Sequence, residues 1–284
     1  MFVVAGVTGH VGGVAARELL AKGEPVKVIV RDTAKGREWS ALGAEVAQGT
    51  LEDPKFLAGA LRGAKGFFAL LPPNFQTPTF YAFQRSVADS IVAAVKESGV
   101  PHVVLLSSIG ADLAEGNGPI KGVHFLENGL RATGTKLTAI RAGSFQENVG
   151  NVVGAAKSAG IYPNMSPSVD YPLPMIASRD IGLLAAHELL FESPKSEIID
   201  LHGPAYTVRQ VAELLGAALG KKLNIVNVPP EGQVAAFKQA GMQQELAESF
   251  AEMNAGFASG RIMPKGDRLK TGTTRLETTI KTLV

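Results

Sequence analysis

The sequence predicts an α/β fold: a doubly wound parallel sheet over the first half of the chain, with a smaller mixed α/β lobe after it. Three observations carry this. Short apolar runs recur and read as strands buried on both faces. Each is followed by a segment with apolar residues three and four apart, which reads as a helix. The alternation then continues through a sixth strand, as parallel crossover units require. The 284 residues are 45% hydrophobic and 19% charged, enough apolar material for a sizeable core. Residues 1–150 read as the main domain and residues 151–284 as the smaller lobe.

The elements follow in order. Residues 2–5 are an apolar run ending at Gly6, as suits a buried parallel strand. Residues 14–21 read as a helix with Val14, Leu19 and Leu20 inward and Arg17, Glu18 and Lys22 on the wet side, stopped by Gly23. Residues 26–30 are the second strand, and Asp32 is placed to cap a short helix. Residues 44–48 form the third strand. A helix over 53–61 has Asp53 as cap and Pro54 at its first position. Residues 66–71 are the fourth strand. Phe80, Phe83, Val87, Ile91 and Val95 mark a long helix over 80–98. A strand at 103–107, a helix at 122–132 and a strand at 136–141 complete the first half.

Beyond Ala142 the rhythm loosens. Residues 160–174 are rich in Gly, Pro, Ser and Asn and read as loop. A helix follows at 179–191 and a short strand at 198–201. Thr207 and Gln210 form a capping box for a helix over 208–219, closed by Gly220. Residues 223–228 read as a strand, and helices occupy about 232–257. This lobe is expected to cover the carboxyl ends of the sheet and shape a substrate pocket at the topological switch point.

Composition narrows the function. A net charge of +2 is too small to argue for nucleic acid or a membrane surface. The lack of cysteine excludes disulfides, thiolate metal sites and cysteine nucleophiles, and is compatible with a reducing compartment. The apolar opening from Met1 to Ala5 is too short for a signal peptide and lacks a basic leader, and no apolar run approaches a membrane span. The expected location is the cytoplasm and the expected partner a small-molecule substrate, with a homodimer left open. No His, Asp or Glu spacing suggests a metal site.

The first chemistry lies in Gly6-Val7-Thr8-Gly9-His10-Val11-Gly12, between the first strand and the first helix. Glycine suits the tight turn at position 6. At position 9 a Cβ would obstruct a pyrophosphate, and at position 12 helix–strand packing requires a small residue. The free amides at the helix start then face the anion. With a strand before it and a helix after it, the turn reads as a Rossmann-type dinucleotide fingerprint, to which Thr8, His10 and Val11 also contribute.

Arg31 bears on which dinucleotide is bound. An acidic residue at the end of the second strand selects NAD through the ribose hydroxyl, whereas arginine accommodates the 2′-phosphate of NADP. Lys35, a turn later, adds positive charge. The cofactor expected is therefore NADP (NADPH). A strand one residue longer would instead bring Asp32 to the ribose and favour NAD. Thr50 and Leu51, after the third strand, are expected along the adenine. Leu71, Pro72 and Pro73, after the fourth, pass near the ribose or nicotinamide, or form a rigid loop. Ser107 and Ser108 end the fifth strand, where a hydroxyl can reach nicotinamide or substrate.

Residues 6–12, Arg31, Leu71-Pro72-Pro73 and Ser107-Ser108 together resemble the atypical short-chain dehydrogenase/reductases, and within them the NmrA-like family. His124-Phe125-Leu126-Glu127, Arg141-Ala142-Gly143-Ser144-Phe145-Gln146-Glu147-Asn148 and Leu201-His202-Gly203-Pro204 add to the resemblance, which covers most of the chain. It implies either an NADPH-dependent reductase of quinones and related acceptors, or a protein without turnover that senses the nicotinamide redox state and regulates transcription.

The wider superfamily uses Tyr-x-x-x-Lys, in which lysine lowers the pKa of a proton-donating tyrosine. Here none of Tyr81, Tyr162, Tyr171 and Tyr206 has lysine four residues on. Asn117-Gly118-Pro119-Ile120-Lys121 is the nearest echo, with asparagine in the tyrosine place. Aligning on Glu127 and Leu130 instead puts the lysine position at Val123. His124 is the remaining proton-donor candidate; its other reading is a structural histidine at a helix start. Lys121 either contacts the ribose or is solvated, and Glu127 is expected to make a local helix contact. Hydride transfer to a quinone or enone relies more on positioning than on an acid, so the missing pair is compatible with an enzyme. It is equally the feature that suggests a sensor. An epimerase-type enzyme retaining NAD is a third reading.

Overall fold

The computed structural model describes residues 1–191 and 194–284. In chain order its strands and helices are β1 (Phe2–Val4), α1 (His10–Ala21), β2 (Val26–Val30), α2 (Thr33–Ala41), β3 (Glu45–Gln48), α3 (Pro54–Leu61), β4 (Gly66–Ala69), α4 (Phe80–Ser98), β5 (His102–Ser108), α5 (Lys121–Ala132) and β6 (Lys136–Ala142). There follow β7 (Ser144–Phe145), α6 (Gly150–Ala159), β8 (Ile161–Asn164), β9 (Leu173–Ile176), α7 (Ser178–Leu190), β10 (Glu197–His202), β11 (Ala205–Tyr206), α8 (Val208–Leu219), β12 (Asn224–Asn227), α9 (Pro230–Gln239), α10 (Gln244–Ala258), β13 (Arg268–Thr271) and α11 (Leu276–Ile280).

Eight strands form the central sheet in the order β13-β10-β6-β5-β4-β1-β2-β3. Every neighbouring pair in it is parallel, for example Val3 beside Lys27 and Phe67, and Ser107 beside Arg141. Successive side chains on a strand point to opposite faces, and here both faces are apolar. Val4, Val28, Phe68, Val104 and Ile140 pack on one side with Ala15 and Leu19 of α1 and Ile181, Ala185 and Leu189 of α7. Val3, Ile29, Phe67, Val103 and Leu105 pack on the other with Leu57 and Leu61 of α3, Val87 and Ile91 of α4, and Leu126 and Leu130 of α5. Double burial is why these strands read as unbroken apolar runs. Burying each side chain of this size fully contributes about 1.5–3 kcal/mol. A third core, with Val153, Met175, Tyr206, Leu215, Leu276 and Ile280, holds the smaller lobe together.

The second half of the chain returns to the sheet. β10 pairs with β6, and β13 pairs with β10 at the margin. α7 lies against α1, where a Cβ on Gly182 would stand 2.7 Å from the Val11 carbonyl.

Several boundaries differ from the sequence expectation. α1 begins at His10 rather than at 14, because Gly12 and Gly13 are accepted where the helix presses on β1 and its turn. The expected loop 160–174 contains β8, which pairs in parallel with β12 some sixty residues on, and the start of β9. A partner so remote leaves no local signal. The helices expected over about 232–257 are α9 and α10, which together run from Pro230 to Ala258 and are separated around Gly241, whose φ is +92°. β13, with the sequence Arg-Leu-Lys-Thr, lacks the apolar signature because it lies at the margin. Among the described residues no helix is long and apolar enough to cross a membrane.

Candidate dinucleotide site

The turn from β1 into α1 is built by its glycines. Gly6 has φ +65°, and a Cβ there would meet Leu70 Cδ2 at 2.4 Å. A Cβ on Gly12 would stand 2.4 Å from the Ala5 carbonyl and 2.6 Å from that of Gly6, so only glycine lets α1 approach the strand. Gly9 is the N-cap of α1, makes no side-chain cap and donates its own amide to Gly6 O at 2.9 Å. The first helical bond runs from Gly13 N to Gly9 O. The amides of His10, Val11 and Gly12 are therefore left without intrahelical acceptors. The Val11 side chain is buried, whereas Thr8, Gly9 and His10 are exposed. This is an anion cradle at the positive end of a helix dipole.

β2 ends at Val30, so Arg31 is the first residue beyond the strand. Asp32 is the N-cap of α2, its Oδ1 accepting from Ala34 N at 2.6 Å and Lys35 N at 3.1 Å. Its carboxylate is thus engaged by backbone. Arg31 is exposed and has no hydrogen bond or ion pair to the described residues. Lys35 reaches Glu38 at 3.0 Å on the surface of α2. The donor set fits an NADP-type nucleotide: bare amides for a diphosphate and an unclaimed guanidinium for a further phosphate.

The other expected residues lie on segments at the same, carboxyl end of the parallel strands. Thr50 Oγ1 accepts from Glu52 N at 3.3 Å, and Leu51 turns into the core with Leu57. Leu71 packs partly against that core, Pro72 is half-buried and Pro73 exposed. Ser107 is buried and donates to Glu127 Oε1 at 2.6 Å, while Ser108 donates to the Ile109 carbonyl at 3.1 Å. In α5, His124 Nδ1–H donates to Ala111 O at 2.8 Å and Nε2 accepts from Asn128 Nδ2 at 3.1 Å. Lys121 Nζ lies 5.5 Å from the centre of the Tyr81 ring, a cation–π contact with the ring face. Burial, reinforced by the charge of Glu252, raises the pKa of Tyr81.

Glu127 does more than the expected local contact. Besides Arg131 at 3.4 Å it accepts two bonds from Arg141 of β6, Nε at 2.9 Å and Nη2 at 2.7 Å, with both partners buried. Burial works against the Arg141 charge, but the hydrogen bonds and charge of Glu127 outweigh it, and the guanidinium pKa is raised. The network ties β5, β6 and α5 together beneath the strand ends. Gln146 and Glu147 also act as staples. Gln146 donates to the carbonyls of Met175 and Thr274, and Glu147 accepts from Ser178 N at the start of α7. Leu70 against Gly6, and Gly182 against α1, complete the support. A glycine within a helical pattern was the one sequence signal available for the latter.

A strand order that reverses between β1 and β4, with an amide-lined turn at that switch point, defines a dinucleotide-binding α/β protein of the Rossmann class. Residues 1–278 match the NmrA-like family, and the chain belongs to it. The chain is 28% identical over 259 residues to the NAD(P)H azoreductase of Xenophilus azovorans, covering 90% of this chain and 86% of that protein. Among solved structures it is similar to Citrobacter sp. triphenylmethane reductase complexed with NADP(H), with a TM-score of 0.82 and 23% identity over 100% of both chains. It is also similar to the NADPH-dependent quinone oxidoreductase of Escherichia coli, with a TM-score of 0.78 and 24% identity over 100% of this chain and 99% of that one. These two likenesses establish the fold.

Proposed function

We propose that the chain is an NADPH-dependent oxidoreductase that reduces a small quinone, enone or similar carbonyl acceptor in the cytoplasm. The observation that carries this reading is the pairing of three free amides at the start of α1 with an Arg31 guanidinium that no carboxylate claims. In this reading the amides of His10, Val11 and Gly12 hold the pyrophosphate, and Gly6, Thr8 and Gly9 keep the approach open. Arg31, helped by Lys35, takes the 2′-phosphate. Thr50 and the backbone of Leu51 flank the adenine, and Leu71, Pro72, Pro73, Ser107 and Ser108 border the nicotinamide half. The bound nucleotide supplies the hydride.

The protein's part is chiefly orientation, which alone accounts for much of the acceleration in a transfer between two bound planar partners. Residues 151–284 form the smaller lobe that shapes the acceptor side. His124 is assigned the proton: once protonated, Nε2 changes from acceptor to donor and releases the Asn128 amide. Lys121 adds positive charge beside it. Support comes from the azoreductase relative, named for NAD(P)H, and from two reductase structures named for NADP(H) and NADPH.

The test is to mix protein, NADPH and a panel of quinones and enones and follow absorbance of the reduced nicotinamide. Steady consumption is expected. Two observations favour a second reading, a non-catalytic NAD(P)-binding redox sensor: both His124 ring nitrogens are engaged, and the Tyr/Lys pair is missing. Tight NADPH binding with no consumption across the panel would establish that reading instead. Absence of binding to any pyridine nucleotide would overturn both.

A further inference from the structure

The smaller lobe contains a half-open cleft of about 550 Å³ between the segment after β8, the β12–α9 junction and α10, with Pro167, Asn227, Ala255, Ala258 and Ser259 of its lining exposed to solvent. None of the proposed nucleotide residues lines it. Its volume falls in the range of small-molecule sites, roughly 300–1,000 Å³. Among the described residues no ionisable side chain lines it: the walls are methionine, prolines, valine and alanines, with serine and side-chain amides as the polar groups.

The amides are oriented by partners that cannot be exchanged. The Ser166 amide donates to Asn164 Oδ1 at 2.9 Å, which fixes Asn164 with its Nδ2 toward Asn227 Oδ1, also at 2.9 Å. Asn227 is thereby left with its NH2 group unused. Gln233 Nε2 donates to the Met165 carbonyl at 3.1 Å, so Gln233 Oε1 accepts from Asn254 Nδ2 at 2.8 Å. Asn254 is left with its Oδ1 unused. The two orienting residues, Asn164 and Gln233, are 2% and 4% exposed, so the arrangement is held from behind by buried groups. Such support is what preorganises a binding site.

We infer that this cleft binds an uncharged organic molecule that offers a hydrogen-bond acceptor to Asn227 and a donor to Asn254. An ion seated there would meet no opposite charge among the described lining residues, which favours a neutral ligand over carboxylates and ammonium groups. The site needs no nucleotide, so it stands or falls separately from the reductase reading.

The test uses ¹⁵N-labelled full-length protein without nucleotide. Three neutral probes, 2-naphthamide, 2-naphthol and 1,4-naphthoquinone, are compared with 2-naphthoate and protonated 2-naphthylmethylamine. Expected are saturable shifts of the Asn227 and Asn254 side-chain amides with at least 2-naphthamide, and at least tenfold weaker binding of both ions. Ala255→Phe, which fills the cleft from α10, should abolish the shifts while NADPH affinity stays unchanged. Asn254→Leu should weaken 2-naphthamide, which carries a donor, and spare 1,4-naphthoquinone, which carries none. Failure of all three neutral probes, equal binding of the ions, or binding that survives Ala255→Phe would each overturn the inference.

Discussion

Arg31 and Asp32 are neighbours of opposite charge, and the local backbone assigns their work. The strand stops at Val30, α2 begins at Thr33, and the carboxylate between them is engaged by two helix amides. Arg31→Ala should weaken NADPH on the order of tenfold or more and leave NADH nearly unchanged, as a lost charge-assisted phosphate bond would. Equal losses for the two cofactors in a calorimetric titration would sink this assignment. The strand end at Val30 and the Asp32 cap were legible in the sequence, because both are local. Glu127 was not: its main partner, Arg141, lies fourteen residues away on a strand, and only folding brings them to 2.7 Å. Glu127→Ala should cost about 3–5 kcal/mol by stripping a buried guanidinium of both its hydrogen bonds and leaving it only the looser Asp112 carboxylate at 3.7 Å. Glu127→Gln should cost less, because it retains hydrogen-bonding capacity. Urea unfolding measures both.

At the scale of elements, what the sequence shows depends on how far each element must look for its partner. α4, with apolar residues on one stripe, and α8, with its complete capping box, are self-declaring. β8 and β12 are not, since each makes sense only beside the other. The opening turn is the element most exposed to test. Gly12→Ala forces α1 away from β1, because the new carbon would stand 2.4 Å from a carbonyl oxygen. A lower melting temperature and weakened NADPH binding are expected together. Thr207→Ala, by contrast, removes one cap of a helix remote from the turn and should cost about 1 kcal/mol with nucleotide affinity intact.

For the whole molecule, stability should depend on pH through His102. This histidine is buried in β5 against Thr138, and burial, with the charge of Lys136 adding to it, lowers its pKa to about 4. Below the unfolded value of about 6.5 the unfolded chain takes up a proton that the folded one refuses, so stability is full above that pH. It is lost progressively as pH falls toward 4. Urea midpoints measured down this window should decline, and His102→Gln should flatten that part of the decline. An unchanged slope in the variant would show that carboxylates alone set it.

The placement of β13 has one more consequence. As the last strand of an all-parallel sheet it leaves a row of backbone groups without a neighbouring strand among the described residues, next to a Leu269 that is 65% exposed. Such a margin invites runaway stacking of one molecule on the next. Arg268 is held by Glu188 at 3.2 Å and Glu197 at 2.7 Å, so among the described residues the free cation beside that leucine is Lys270, and a second copy laid along the same margin would crowd the two Lys270 ammonium groups together. Lys270→Ile should therefore leave the monomer's fold intact yet make concentrated solutions cloud, which light scattering would reveal: a single basic side chain acts as gatekeeper of colloidal behaviour.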